Sequence, residues 1–108
     1  MRNKGPIEQQ YDELDVQKML ADDRVEAAVR DILVELARAE NMHPVWPADT
    51  LHQMAILQEE VGEAQMAAND SMYGAEHMRA TKLYGLRREL VQVGAMAIRC
   101  LINLDCKQ

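Results

Sequence analysis

Leu51-His52-Gln53-Met54-Ala55-Ile56-Leu57-Gln58-Glu59-Glu60-Val61-Gly62-Glu63-Ala64-Gln65-Met66-Ala67-Ala68 is the stretch that decides the fold class. Met54, Leu57, Val61, Ala64 and Ala68 recur in steps of three and four, the period of one helix face. Asp49 or Thr50 can cap the start. Glu60 and Glu63 lie three apart, so they share a face with Cβ atoms roughly 5–6 Å apart. Ile56 and Ala67 flank them on the same stripe. The spacing predicts a helix over 51–68 with a carboxylate pair set in an apolar surround.

The rest of the chain repeats this pattern. Val25, Val29, Ile32, Leu33 and Leu36 form an apolar stripe, with Arg30, Asp31, Glu35 and Arg38 opposite. Asp22 and Asp23 offer an N-cap, and Asp23 with Glu26 has capping-box spacing. That helix should end near Asn41. Leu86, Leu90, Val93, Ala97 and Leu101 make a third stripe over 83–104. Residues 11–21 suit a short helix through Leu14, Met19 and Leu20, after a polar arm at 1–10. Asn69 to Gly74 reads as a turn, and 75–82 fits either helix or loop. The loop His43-Pro44-Val45-Trp46-Pro47-Ala48 carries two prolines that block helix continuation.

Composition agrees. Of 108 residues, 48% are apolar, yet there is no Phe, one Trp and eight Met. Ala, Leu and Met are helix-core residues rather than sheet residues. The fold class is all-α: an antiparallel helical bundle, one domain over 11–108, its small core completed by oligomerisation. Acidic residues exceed basic ones by eighteen to twelve. That excludes a general nucleic-acid polymer binder, which needs a basic face. It leaves room for a nucleotide, because a divalent ion reverses the local potential. No apolar run reaches the roughly 20 residues of a membrane span. With no apolar signal-peptide core either, a cytoplasmic protein is expected. Cys100 and Cys106 fall on different helix faces, which suits reduced thiols.

A second polar row follows the first. Glu89 and Gln92 are again three apart, flanked by Gly85 and Met96. Carboxylates among apolar neighbours are costly unless a cation compensates them. Facing rows from two helices would make a hard-oxygen cage suited to Mg²⁺ or Mn²⁺. Spacing alone leaves the other reading open, in which these are solvated charges on amphipathic helices. A ferritin-like di-iron site is disfavoured, since it wants His three after Glu and neither row has one.

Glu59-Glu60-Val61-Gly62-Glu63 followed by Glu89-Leu90-Val91-Gln92 resembles the signature of the MazG-like all-α nucleoside triphosphate pyrophosphohydrolases. That signature is Glu-Glu-x-x-Glu, a spacer, then Glu-x-x-Asp. His43-Pro44-Val45-Trp46-Pro47 and His52 before the first row, and Val93-Gly94-Ala95-Met96 after the second, extend the likeness over roughly residues 43–104. It implies Mg²⁺-dependent cleavage of an NTP or dNTP to the monophosphate and pyrophosphate. Glu60, Glu63 and Glu89 are the implied metal ligands and catalytic residues. Glu59 either handles the attacking water or is exposed. Gln92 departs from the pattern, because it stands where the family has Asp. Its amide oxygen can ligate a metal but supplies neither charge nor a base. A weak or inactive MazG-like module that binds nucleotide or protein is therefore the alternative.

Phosphate contacts are expected from cations near the second row: Lys82 and Arg99 first, with Arg79, Arg87 and Arg88 nearby. Trp46 either stacks on a base or plugs the helix ends. His52 either bonds the substrate or is a surface residue of the first helical turn. The implied partners are a nucleoside triphosphate and further copies of the chain, as a homodimer or tetramer.

Overall fold

The computed structural model describes residues 12–104. The polar arm expected at 1–10 and Cys106 lie outside the described residues. All regular structure among the described residues is helical: α1 (Glu13–Leu20), α2 (Asp23–Met42), α3 (Thr50–Tyr73), a short 3₁₀ turn (Glu76–Met78) and α4 (Arg79–Asn103). The chain is all-α. None of its described helices is long and apolar enough to cross a membrane.

Two compact units divide the chain, Met1–Arg30 and Asp31–Gln108. In the first, α1 opens with a capping box. The Asp12 carboxylate accepts from the Asp15 N–H at 3.2 Å, and the Asp15 carboxylate accepts from the Asp12 N–H at 3.1 Å, so two otherwise unpaired donors are satisfied. The cap of α2 falls one residue earlier than the Asp23–Glu26 spacing predicts. Asp22 accepts from the Arg24 N–H through its carboxylate at 2.9 Å and from the Glu26 N–H through its carbonyl at 2.9 Å.

The second unit holds the core. Asp49 caps α3, its carboxylate accepting from the Leu51 N–H at 3.0 Å. The helix continues through the turn expected at 69–74, and Gly74 ends it with its N–H donating to the Asp70 carbonyl at 2.9 Å. Asn69 and Asp70 are poor helix formers, but the ordinary turn reading of Asn-Asp-Ser lost to continuation of the preceding helix. The segment 75–82 is mixed, a 3₁₀ turn and then the first turn of α4.

Small residues make the centre. Ala39, Ala95 and Met96 are buried together, with Ile32, Leu36, Trp46, Ile56 and Leu57 packed around them. The faces that apolar spacing predicts are used only in part: Ala64 is buried and Leu57 packs on the core, but Met54, Val61, Leu90 and Leu101 are exposed. On α3 the buried residues are Gln53, Ala64 and Ser71, which places Glu60 on the inward row. On α4 they are Ala95, Met96, Arg99 and Cys100, while Leu90 and Leu101 stay 54% and 66% exposed. Backbones come closest where side chains are smallest, so the alanine-rich faces meet first. At Gly94 the approach is tight: a Cβ there would lie 2.8 Å from the Ile32 Cδ1.

Candidate metal centre

The inward rotation of α3 and α4 sets Glu60 and Glu63 against Glu89. One carboxylate oxygen of each lies within 4.8 Å of those of the other two. Glu60 and Glu89 are half-buried, and Glu63 is exposed. Neighbouring oxygens in a Mg²⁺ shell with bonds of about 2.1 Å stand roughly 3–4 Å apart, so this donor set fits a hard divalent cation with small side-chain adjustments.

Electrostatics mark Glu60 within the trio. Its carboxyl is pushed from 4.5 up to about 7. Burial is the largest cause, followed by its hydrogen bond and charge repulsion with Glu63, then the charges of Glu89 and Glu35. Desolvation and like charge both penalise the ionised form, and a cation in the cluster would reverse both.

Gln92 joins the cluster from α4. With its amide nitrogen turned toward the trio it donates to Glu60 Oε2 at 3.3 Å and to Glu89 Oε2 at 3.1 Å. The amide then bridges the two helices, and ligation through its oxygen needs a half-turn of the side chain. Glu59 is exposed and outside the trio.

A cavity of about 290 Å³ opens from the cluster, lined by Glu60, Gln92, Ile56, Met96, Trp46 and Arg99 among others. Gln53, Cys100 and Arg99 brace the cavity's loop wall and the helices behind it through contacts that spacing did not reveal. Gln53 Nε2 donates to the Pro47 carbonyl at 2.9 Å. The Cys100 thiol points to the Gln53 carbonyl at 3.7 Å. Arg99, 4% exposed, donates to the His43 carbonyl and lies 4.6 Å over the Trp46 ring. The Arg99 guanidinium thus braces the loop and covers one Trp46 face while bordering the cavity. Trp46 Nε1 is buried without a hydrogen-bond partner.

Lys82 lies elsewhere, half-buried in a second cavity that also reaches Glu89. His52 is exposed on α3 and borders neither cavity. Two residues of α2 complete the surroundings unannounced by the sequence. Glu35 and Arg38 line the first cavity and pair at 2.6 Å. Their i,i+3 spacing was visible, but not that α2 would bring them to the cluster. No protein-family profile, curated protein or solved structure matches the chain.

Proposed function

We propose that this chain is a MazG-like nucleotide pyrophosphohydrolase, dependent on Mg²⁺ or Mn²⁺, that cleaves an NTP or dNTP to the monophosphate and pyrophosphate. The observation that carries the reading is the convergence of Glu60, Glu63 and Glu89 from two helices beside a cavity with an aromatic wall. Resemblance of the two motif rows to the family supplies the reaction. These three carboxylates would hold the ion, with Gln92 as a weaker neutral ligand. When bound, the ion would neutralise phosphate charge and orient water.

The chain's own groups do the rest. Trp46, Ile56 and Met96 offer an apolar wall to the base. To hold the ion, Glu60 would have to give up its proton to solvent. Water adds to the α-phosphorus as the bond to the bridging oxygen breaks, and pyrophosphate leaves. Glu59 is the carboxylate left to handle the water's proton, and Glu59→Gln tests that role.

The helices form an antiparallel bundle in this reading, closed by a second copy as a dimer or a pair of dimers in the cytoplasm. Support comes from the thin core: no Leu, Ile or Val among the described residues is fully buried, and Leu33, Val34, Leu101 and Ile102 are 51–66% exposed. Such a surface is expensive in water. A sedimenting monomer at micromolar concentration would remove this part.

Gln92 favours one alternative, a module that keeps the fold and has lost turnover, because its amide already satisfies the two carboxylates that a metal needs. The deciding experiment measures pyrophosphate release over a panel of NTPs and dNTPs with Mg²⁺ and Mn²⁺. The hydrolase reading expects metal-dependent release that Glu60→Gln abolishes with helical circular dichroism unchanged. A folded protein that turns over no nucleotide with either ion establishes the module instead.

A further inference from the structure

Two buried side-chain polar atoms are unmatched among the described residues, and both belong to the junction of the loop 43–49 with α3. One is the Trp46 indole N–H, which only donates; the other is Gln53 Oε1, which only accepts. A buried group without a partner carries its full desolvation cost, and native folds keep few of them. Here one donor and one acceptor stand unused at the same junction, so each is the kind of partner the other lacks.

Gln53 is the fixed member. It is 1% exposed on the inward face of α3, and the Cys100 thiol lies 3.7 Å from its main-chain carbonyl. Its Nε2 donates to the Pro47 carbonyl at 2.9 Å, which sets the amide beside the residue that follows Trp46. Trp46 is the member able to shift. Main-chain hydrogen bonds stop at His43, whose N–H donates to the Ala39 carbonyl at 2.8 Å, and resume where the Asp49 carbonyl accepts from the Gln53 N–H at 3.0 Å. Between them, Pro44, Val45 and Trp46 make no hydrogen bond to the described residues. The span is tied at its ends, by Arg99 on the His43 carbonyl and by Gln53 on the Pro47 carbonyl. Backbone with so few bonds moves at low cost, and Pro44 and Pro47 keep the move small by fixing φ on either side.

Arg99 holds the indole where it is, 4.6 Å over the ring. A cation–π contact and a neutral hydrogen bond are similar in strength. The present stack and a Trp46–Gln53 bond therefore compete on nearly even terms. Trp46 also lines the cavity of about 290 Å³. A planar ligand there would stack on the indole in place of the guanidinium, and the N–H would turn to Gln53 without net loss.

We propose that the loop 43–49 is a lid with two seats. In the open seat, the one described above, Trp46 leans on Arg99. In the closed seat, taken when a ligand fills the cavity, the Trp46 indole N–H donates to Gln53 Oε1. Gln53 is then the positioning residue of the lid. The identity of the closing ligand, a nucleotide, rests on the hydrolase reading above.

Trp46 is the only tryptophan, so its indole N–H gives one cross-peak in the ¹⁵N-labelled chain. The probes are α,β-methylene analogues of NTPs and dNTPs with Mg²⁺, their binding measured by calorimetry. Saturation should move the indole proton downfield, and in Gln53→Met, which lacks the acceptor, it should not. Replacing Trp46 with benzothienylalanine keeps the ring shape and puts sulfur in place of the N–H. The ligand-free chain should then be no less stable in urea, since no bond is lost, while analogue affinity should fall about fivefold, as for one net hydrogen bond. Equal affinity in the sulfur variant, or an unmoved indole proton with analogue bound, overturns the lid alone. So does lower stability of the ligand-free sulfur variant, because the N–H would already be bonded. Failure of every analogue to bind the parent overturns the hydrolase reading, and the lid falls with it.

Discussion

The two halves of α4 live in different surroundings. From Gly94 to Cys100 the helix is pressed into the core: Ala95, Met96, Arg99 and Cys100 are buried, and a Cβ at Gly94 would run into Ile32. From Arg79 to Arg88 no residue is buried, and Leu83 and Tyr84 are 47% and 71% exposed. Glu89 and Gln92 sit at the seam. The tight half positions, because its groups are already spent on one another. The open half holds groups without partners, and those are the ones able to meet a ligand.

The seam gives the largest expected effect. Glu60 is raised to about 7, chiefly by burial. Its folded value lies above the unfolded one, so the folded chain binds the extra proton between about pH 4.5 and 7, and metal-free stability falls as pH rises through that window. Metal needs the ionised form. Apparent Mn²⁺ affinity should therefore rise about tenfold per pH unit below 7 and level off above it. Titrations at pH 5, 6, 7 and 8 check this, and a flat profile would place Glu60 outside the ligand set.

The tight half should be fragile where the open half is tolerant. Arg99→Met keeps most of the volume but strands the His43 carbonyl and uncovers Trp46, which should cost about 2–3 kcal/mol in urea unfolding. Arg88→Met, with no partner to lose, should cost under about 0.5 kcal/mol. Equal losses would erase the distinction between the halves.

Helix type and approximate bounds were legible in the sequence because apolar steps of three and four, few glycines and the Pro44–Pro47 loop all pointed one way. The rows Glu60/Glu63 and Glu89/Gln92 were legible as spacings on separate helices. Their rotation was not. The predicted stripes went inside only in part: Ala64 and Leu57 did, while Leu90 and Leu101 stayed outside and Arg99 was buried instead. Hydropathy ranks side chains by apolar area and is silent about how near two backbones can come. Arg99 was read as a phosphate contact because it follows Gln92 by seven; the same spacing also suits the brace on His43 and Trp46. Glu35 and Gln53 depend on tertiary approach and carry no local signature.

Gln92 refines the seam. Gln92→Asp removes donors to Glu60 and Glu89 and adds a fourth carboxylate. The metal-free protein should lose stability, and Mn²⁺ affinity should rise about tenfold, since ligand charge count sets affinity in oxygen cages. Weaker Mn²⁺ binding in this variant would mean that the amide is the better ligand here and that the family's Asp is no guide to this chain.

The smallest effect is also the cleanest, because one substitution is placed in both halves of a single helix. Alanine is better than glycine in a helix interior by about 1 kcal/mol. At Gly85 the new methyl would meet nothing within 4 Å, so Gly85→Ala should gain about 0.5–1 kcal/mol. At Gly94 it would lie 2.8, 3.1 and 3.4 Å from three atoms of Ile32. A β-branched side chain has little rotamer freedom with which to yield, and overpacking of about 1–3 kcal/mol then exceeds the propensity gain. Gly94→Ala should thus lose about 1 kcal/mol net. Opposite signs in paired urea melts place the boundary between the halves between Gly85 and Gly94, the stretch that carries the Glu89 row. A loss at Gly85 as well would mean that something outside this chain packs on the open half, and a second copy seated there would be the first occupant to look for.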